Sequence, residues 1–148
     1  MNEHGATQLT RFLDVQDTYY PIALSEIQQG KKRGHWMWYI FPQIKGLGFS
    51  DISKYYSMNN LEEATAFLQH PVLANRLIGI CKALLQLETN DPKKIFGSPD
   101  DIKLQSSMTL FAAVPSADPV FEQVLAKLFG GQKDEKTLDM ALLKKDPD

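Results

Sequence analysis

Apolar residues recur at three- and four-residue steps along most of the chain, the spacing of a helix packed on one face. The clearest run follows Pro71, where Leu73, Leu77, Ile80, Cys81, Leu84 and Leu85 line one side of a long helix. Before it, Asn60 is a good N-cap for a helix carrying Leu61, Ala64 and Leu68, with Glu62 and Glu63 in the favourable first turn. Asp91-Pro92 starts a short turn through Ile95 and Phe96 that Gly97 stops. Ser98-Pro99 reads as a cap followed by proline at the first helical position, predicting a helix to about Val114, before Pro115. Asp118-Pro119 repeats that signal for Val120 to Phe129, closed by Gly130-Gly131, and Asp134 to Leu143 makes a last helix. Near the N-terminus, Leu9, Phe12, Leu13 and Gln16 predict one short helix from about Thr7 to Gln16. Asp17 reads as the cap of a second, with Pro21 in its first turn, Ile22, Ala23 and Ile27 on its apolar face and Gly30 as its stop.

The stretch His35-Trp36-Met37-Trp38-Tyr39-Ile40-Phe41-Pro42-Gln43 does not follow a one-sided pattern. It holds both tryptophans of the chain. As a helix it is apolar nearly all round, and no convincing strand partner exists for it elsewhere, so a buried central helix ending at Pro42 is expected. Gln43 to Phe49 then forms a glycine-containing loop, and Ser50 caps a short helix with Ile52, Tyr55 and Tyr56. The whole reads as all-α: one compact multi-helix domain over residues 7–144, with flexible ends at 1–6 and 145–148. No internal repeat or low-complexity linker argues for a second domain.

Composition narrows the function classes. In 148 residues, 43% hydrophobic and 23% charged content describe a globular chain, and a net charge of −2 gives no general attraction to nucleic acid or anionic lipid. No run of about 18 apolar residues is present. Cys81 is the only cysteine, which excludes an internal disulfide and a CxxC metal site. With a polar start, Met1-Asn2-Glu3-His4-Gly5, the expected location is the cytoplasm.

Candidate chemistry concentrates in two segments. On the helix after Pro99, Asp100, Lys103 and Ser107 fall within about 60° of one another, beside an apolar sector of Leu104, Met108 and Phe111. Acid, ammonium and hydroxyl in line could hold a polar ligand or deliver a proton. The plainer alternative is that Asp100 serves the helix N-terminus, Lys103 is solvated and Ser107 bonds back to a carbonyl. In the other segment His35 is a candidate acid or base near neutral pH, or a structural residue heading a buried helix. Lys31, Lys32 and Arg33 look like a phosphate or carboxylate site, to which Lys45 and the Gly46-Leu47-Gly48 loop could add donors, or else a solvated charge run. Trp36 and Trp38 could stack on a base or simply fill the core. Neither GxxxxGK[ST], GxGxxG nor Gly-x-Ser-x-Gly occurs, and three scattered histidines carry no metal spacing. Buried on its helix face, Cys81 is expected to be inert.

The run Gly30-Lys31-Lys32-Arg33-Gly34-His35-Trp36-Met37-Trp38-Tyr39-Ile40-Phe41-Pro42-Gln43-Ile44-Lys45-Gly46-Leu47-Gly48 resembles the signature of an uncharacterised bacterial family, the domain of unknown function numbered 1810. Ile95 to Phe111 resembles its second signature, and His70-Pro71-Val72-Leu73 and Phe129-Gly130-Gly131-Gln132 also match, so the likeness covers roughly Leu9 to Leu142. Gly34 departs from it, standing where serine is expected. The resemblance implies a mainly helical domain with no established activity. Members are sometimes labelled calpastatin, a label unsuited to a chain with a core and no repeats.

Two functions follow. The first is binding or turnover of a small anionic ligand, a phosphate-bearing metabolite or nucleotide derivative, in a pocket formed by the two signature segments. His35 and Asp100 are its catalytic candidates, and Lys31, Lys32, Trp38, Gln43, Lys103 and Ser107 its ligand-binding ones. The alternative is a non-catalytic protein-interaction module whose signatures specify packing. Neither requires a cofactor or metal, and neither nucleic acid nor membrane is an expected partner.

Overall fold

The structure is a computed structural model that describes residues 2–143, with side chains from Leu9 to Leu142. Met1 and residues 145–148, part of the expected flexible ends, lie outside the described residues. The described residues form nine helices and one isolated pair of extended residues, an all-α fold. None of these helices is long and apolar enough to cross a membrane.

The first helix, α1 (Asn2–Gln28), is continuous, where two short helices with a break at Asp17 were expected. Pro21 sits inside it, a placement that costs about 3 kcal/mol in a helix interior. Burial outweighs that cost: Leu9, Phe12, Ala23 and Ile27 are all in the core, and each large side chain so buried contributes roughly 1.5–3 kcal/mol. Polar anchors tie the same helix to its neighbours. Gln16 is buried and its Nε2 donates to the Tyr39 carbonyl at 2.8 Å, while the Tyr20 hydroxyl donates to the Arg76 carbonyl at 2.7 Å. Instead of capping, Asp17 pairs with Arg76 at 3.0 Å.

In the aromatic stretch, α2 (Met37–Ile40) is a single turn. Trp36 and Phe41 on either side of it are buried, so the segment fills the core as expected while most of its length is irregular. Pro42 cannot extend the turn, and the chain instead pairs Ile44 with Met58: Lys45 N–H donates to the Met58 carbonyl and Met58 N–H to the Gln43 carbonyl.

The capping signals position the remaining helices. Ser50 and Asn60 accept from the third residue beyond them at the starts of α3 (Asp51–Tyr55) and α4 (Leu61–Gln69). His70 Nδ1 accepts from Val72 and Leu73 N–H at the start of α5 (Pro71–Leu85), and Asp91 opens α6 (Pro92–Phe96). The next helix, α7 (Asp100–Ala112), has Pro99 itself as its cap residue and no capping side chain, so Ser98 does not play the role expected of it. Asp118 accepts from Val120 N–H to start α8 (Val120–Phe129), and Asp134 does the same for Thr137 in α9 (Glu135–Leu143).

These helices share one hydrophobic core. A line of edge-to-face and tilted rings runs through it from Phe12 to Phe67, Phe111 and Phe121, and a second group joins Trp36, Phe41 and Phe96. The second group brings the aromatic stretch against α6, and Lys32 N–H donates to the Ile95 carbonyl at 2.7 Å beside it.

The turn from α1 into this stretch is set by Glu26. Its Oε1 accepts from the N–H groups of Arg33 (2.8 Å) and Gly34 (3.0 Å) and from the indole Nε1 of Trp36 (2.8 Å). Burial pushes the Glu26 carboxyl up, but these bonds and the Lys32 charge outweigh it and hold it below its ordinary value. Glu26→Ala is expected to cost about 2–3 kcal/mol in urea unfolding, because hydrogen bonds to a carboxylate are lost and a buried indole N–H is orphaned. Since the folded value is the lower one, the stabilisation is complete above the unfolded carboxyl range and disappears as pH falls through the folded value. Acid titration of stability should therefore be shallower in Glu26→Ala than in the parent. An unchanged acid profile would contradict the assignment.

Candidate functional site

Once Glu26 has turned the loop, Lys32 points inward. Its ammonium donates to the Gly34 carbonyl at 2.6 Å, lies 5.1 Å from the centre of the Trp36 ring and pairs with Asp100 Oδ2 at 2.7 Å. The other oxygen of Asp100 takes Lys103 Nζ at 3.1 Å, and that ammonium sits 4.4 Å above the Trp38 ring. Cation, anion and cation thus join the two signature segments, with one tryptophan under each ammonium. Burial drives the Asp100 carboxyl up, but its two lysines outweigh this and hold it below the usual carboxylate range. It is therefore ionised near neutral pH and suited to hold cations rather than to give up a proton.

Next to this triad is a cleft of about 540 Å³. Trp38, Leu47, Phe49, Pro99 and Ile102 form apolar walls. Gln43, Ser53, Lys103, Ser106, Asp134 and Lys136 supply polar groups. The loop between α2 and α3 is shaped closely for this: Gly46 has a φ of +107°, and a Cβ on Gly48 would lie 2.5 Å from Ser53 Oγ. The cap residue Pro99 and, on α7, Ile102, Lys103 and Ser106 make a stripe facing the cleft.

Of the expected site residues, Lys32, Trp38, Gln43, Asp100 and Lys103 come together here. Lys31 and His35 are exposed and do not line the cleft. Ser107 is fully buried, and its Oγ has no hydrogen-bond partner in the protein. The back-bond to a carbonyl considered for it is made two residues on, by Thr109 to Gln105 at 2.8 Å. Ser106, not Ser107, reaches the cleft. The helical spacing from Pro99 held the signal for Ser106, since it lies one turn beyond Lys103 and Ile102. Asp134, Lys136 and Phe49 come from loops and helix ends with no comparable signal. Among the described residues no cluster of three His, Cys, Asp or Glu could hold a metal. Burial pushes the Cys81 thiol far up, and Sγ rests against Met108 at 3.6 Å, as expected of an inert core cysteine.

Fold and site together define an all-α protein with an aromatic-walled, charge-lined cleft. The family model described as "Protein of unknown function (DUF1810)" matches residues 6–141, and the chain belongs to that family. It is similar to the crystal structure of the conserved hypothetical protein Rv1873 from Mycobacterium tuberculosis, with 44% identity and a TM-score of 0.87 over 90% of this chain and 95% of that one. No curated protein matches the sequence. The family match spans every residue of the cleft.

The triad is not symmetric. The Lys32 side chain is 8% exposed against 23% for Lys103. Lys32→Met should therefore destabilise the protein by about 2–3 kcal/mol, through the half-buried Asp100 charge left half-paired, and Lys103→Met by less than about 1 kcal/mol. Urea denaturation checks the order; a larger cost for Lys103→Met would contradict this geometry.

Proposed function

We propose that the cleft binds a small anionic ligand carrying a planar ring, of the class of phosphate-bearing metabolites and nucleotide derivatives. The observation that carries this is the meeting of the two signature segments around Lys103, whose ammonium lies over Trp38 at the cleft wall. Lys103 and the exposed Lys136 take the anion, the apolar walls take the ring, and Gln43, Ser53 and Ser106 offer polar groups for orientation. Asp100 acts as a positioning residue: it holds Lys103 in place while Lys32 balances its charge. Residues 7–144 work as one domain, supported by the shared core. A cytoplasmic location accords with the free thiol of Cys81.

A second reading, an interaction module, draws on the cleft rim. Phe49 is 89% exposed and Ile102 55%, a pair of apolar side chains available to a protein partner.

A thermal-shift panel of nucleotides, sugar phosphates and aromatic acids separates the two. A ligand at about 100 times its Kd stabilises the fold by roughly 2.7 kcal/mol, a rise in Tm of about 5 °C or more for a chain of this size. We expect such a rise in the parent and its loss in Lys103→Met. A panel without shifts, or shifts of equal size in Lys103→Met, would remove the ligand reading.

A further inference from the structure

We infer that the cleft selects a small ring-bearing ligand with one negative charge, a carboxylate or a phosphodiester, over one with two. The inference rests on the cleft being a ligand site and narrows the class of ligand it takes.

The argument is one of charge balance. Three full charges line the cleft: Lys103, Lys136 and Asp134. Lys103 is paired with Asp100, and Asp100 in turn with Lys32. Three cations therefore face two carboxylates, one positive charge in excess. Both carboxylates are fixed by bonds that a ligand would have to break. Asp100 lies between two ammoniums, and Asp134 accepts from the Thr137 N–H and hydroxyl at the start of α9.

The end of α7 adds little to the positive side. Its first turn also carries Asp101, whose charge offsets the partial positive charge of the helix N-terminus. Asp101 is buried at 5% exposure, and its Oδ1 has no hydrogen-bond partner in the protein. A second negative charge brought in by a ligand would have no cation left to meet. It would lie instead beside Trp38, Leu47, Phe49 and Pro99, where an unbalanced charge is costly. A single negative charge closes the balance.

Isothermal titration of the full chain at low salt tests this with two matched pairs. One is a nucleoside 3′,5′-cyclic monophosphate against its 5′-monophosphate; the other is phenylacetate against phenyl phosphate. At about pH 7.5 the monoesters are mostly dianions, their second pKa being about 6, whereas their partners carry one charge. The monoanion is expected to bind about fivefold more tightly in whichever pair binds, the worth of one charge at contact distance in a wet site. The binding pair also distinguishes a diester from a carboxylate. Asp100→Asn adds one positive charge and should erase or invert the preference. Lys136→Gln, at an exposed position outside the core, should weaken binding of both ligands and widen the ratio. A dianion bound as tightly as its partner, or a ratio that neither variant moves, overturns the inference and leaves the ligand reading intact. No binding by either pair overturns both.

Discussion

The arrangement depends on one carboxylate oxygen. Glu26 Oε1 gathers two backbone N–H groups and the Trp36 indole at the point where the chain leaves α1. A carboxylate that accepts three donors is well satisfied, and each bond to a charged acceptor is stronger than a neutral one. The consequence is directional. With Arg33 and Gly34 held by their backbone, the intervening geometry turns Lys32 toward α7 and sets the Trp36 ring beneath its ammonium. Without that anchor a run of three basic residues would be a solvated face.

From this point the charges and rings support one another. An ammonium as buried as that of Lys32 is tolerable only where its donors are used, and here Gly34, Asp100 and the Trp36 face use them. Asp100 sits in a first helical turn, where an acid would ordinarily serve the helix alone. It spends both oxygens on lysines, one from each segment. That makes a local feature of α7 into the joint between it and the loop after α1, and it leaves Lys103 standing over Trp38 at the wall of the cleft.

Much of this could be read from the chain, and the parts that could not share a cause. The capping residues Ser50, Asn60 and Asp91 start their helices as expected because a cap is satisfied within three residues of itself. Gly130, with a φ of +62°, stops α8 for an equally local reason. Long-range contacts overrule such signals. Pro21 does not break α1, because buried neighbours and the Gln16–Tyr39 bond hold the helix across it. Lys32 and Asp100 could be named as candidates from residue type, but their pairing spans 68 positions, which no periodicity encodes. Glu26 was invisible for the same reason: its three partners lie beyond the helix that carries it. Ser107 shared a face with Lys103 on the helical wheel, yet the packing of α7 encloses it and opens Ser106 instead.

The central claim is that the two segments are joined through the Lys32–Asp100 pair, and a double-mutant cycle of Lys32→Met and Asp100→Asn measures that joint. Chemical denaturation of the parent, both single variants and the double variant isolates the interaction between the two side chains. A coupling of about 1–3 kcal/mol is predicted, with the double variant less destabilised than the two singles added together. Additivity to within about 0.5 kcal/mol would mean that the residues do not touch, and the cleft built on their contact would fall with it.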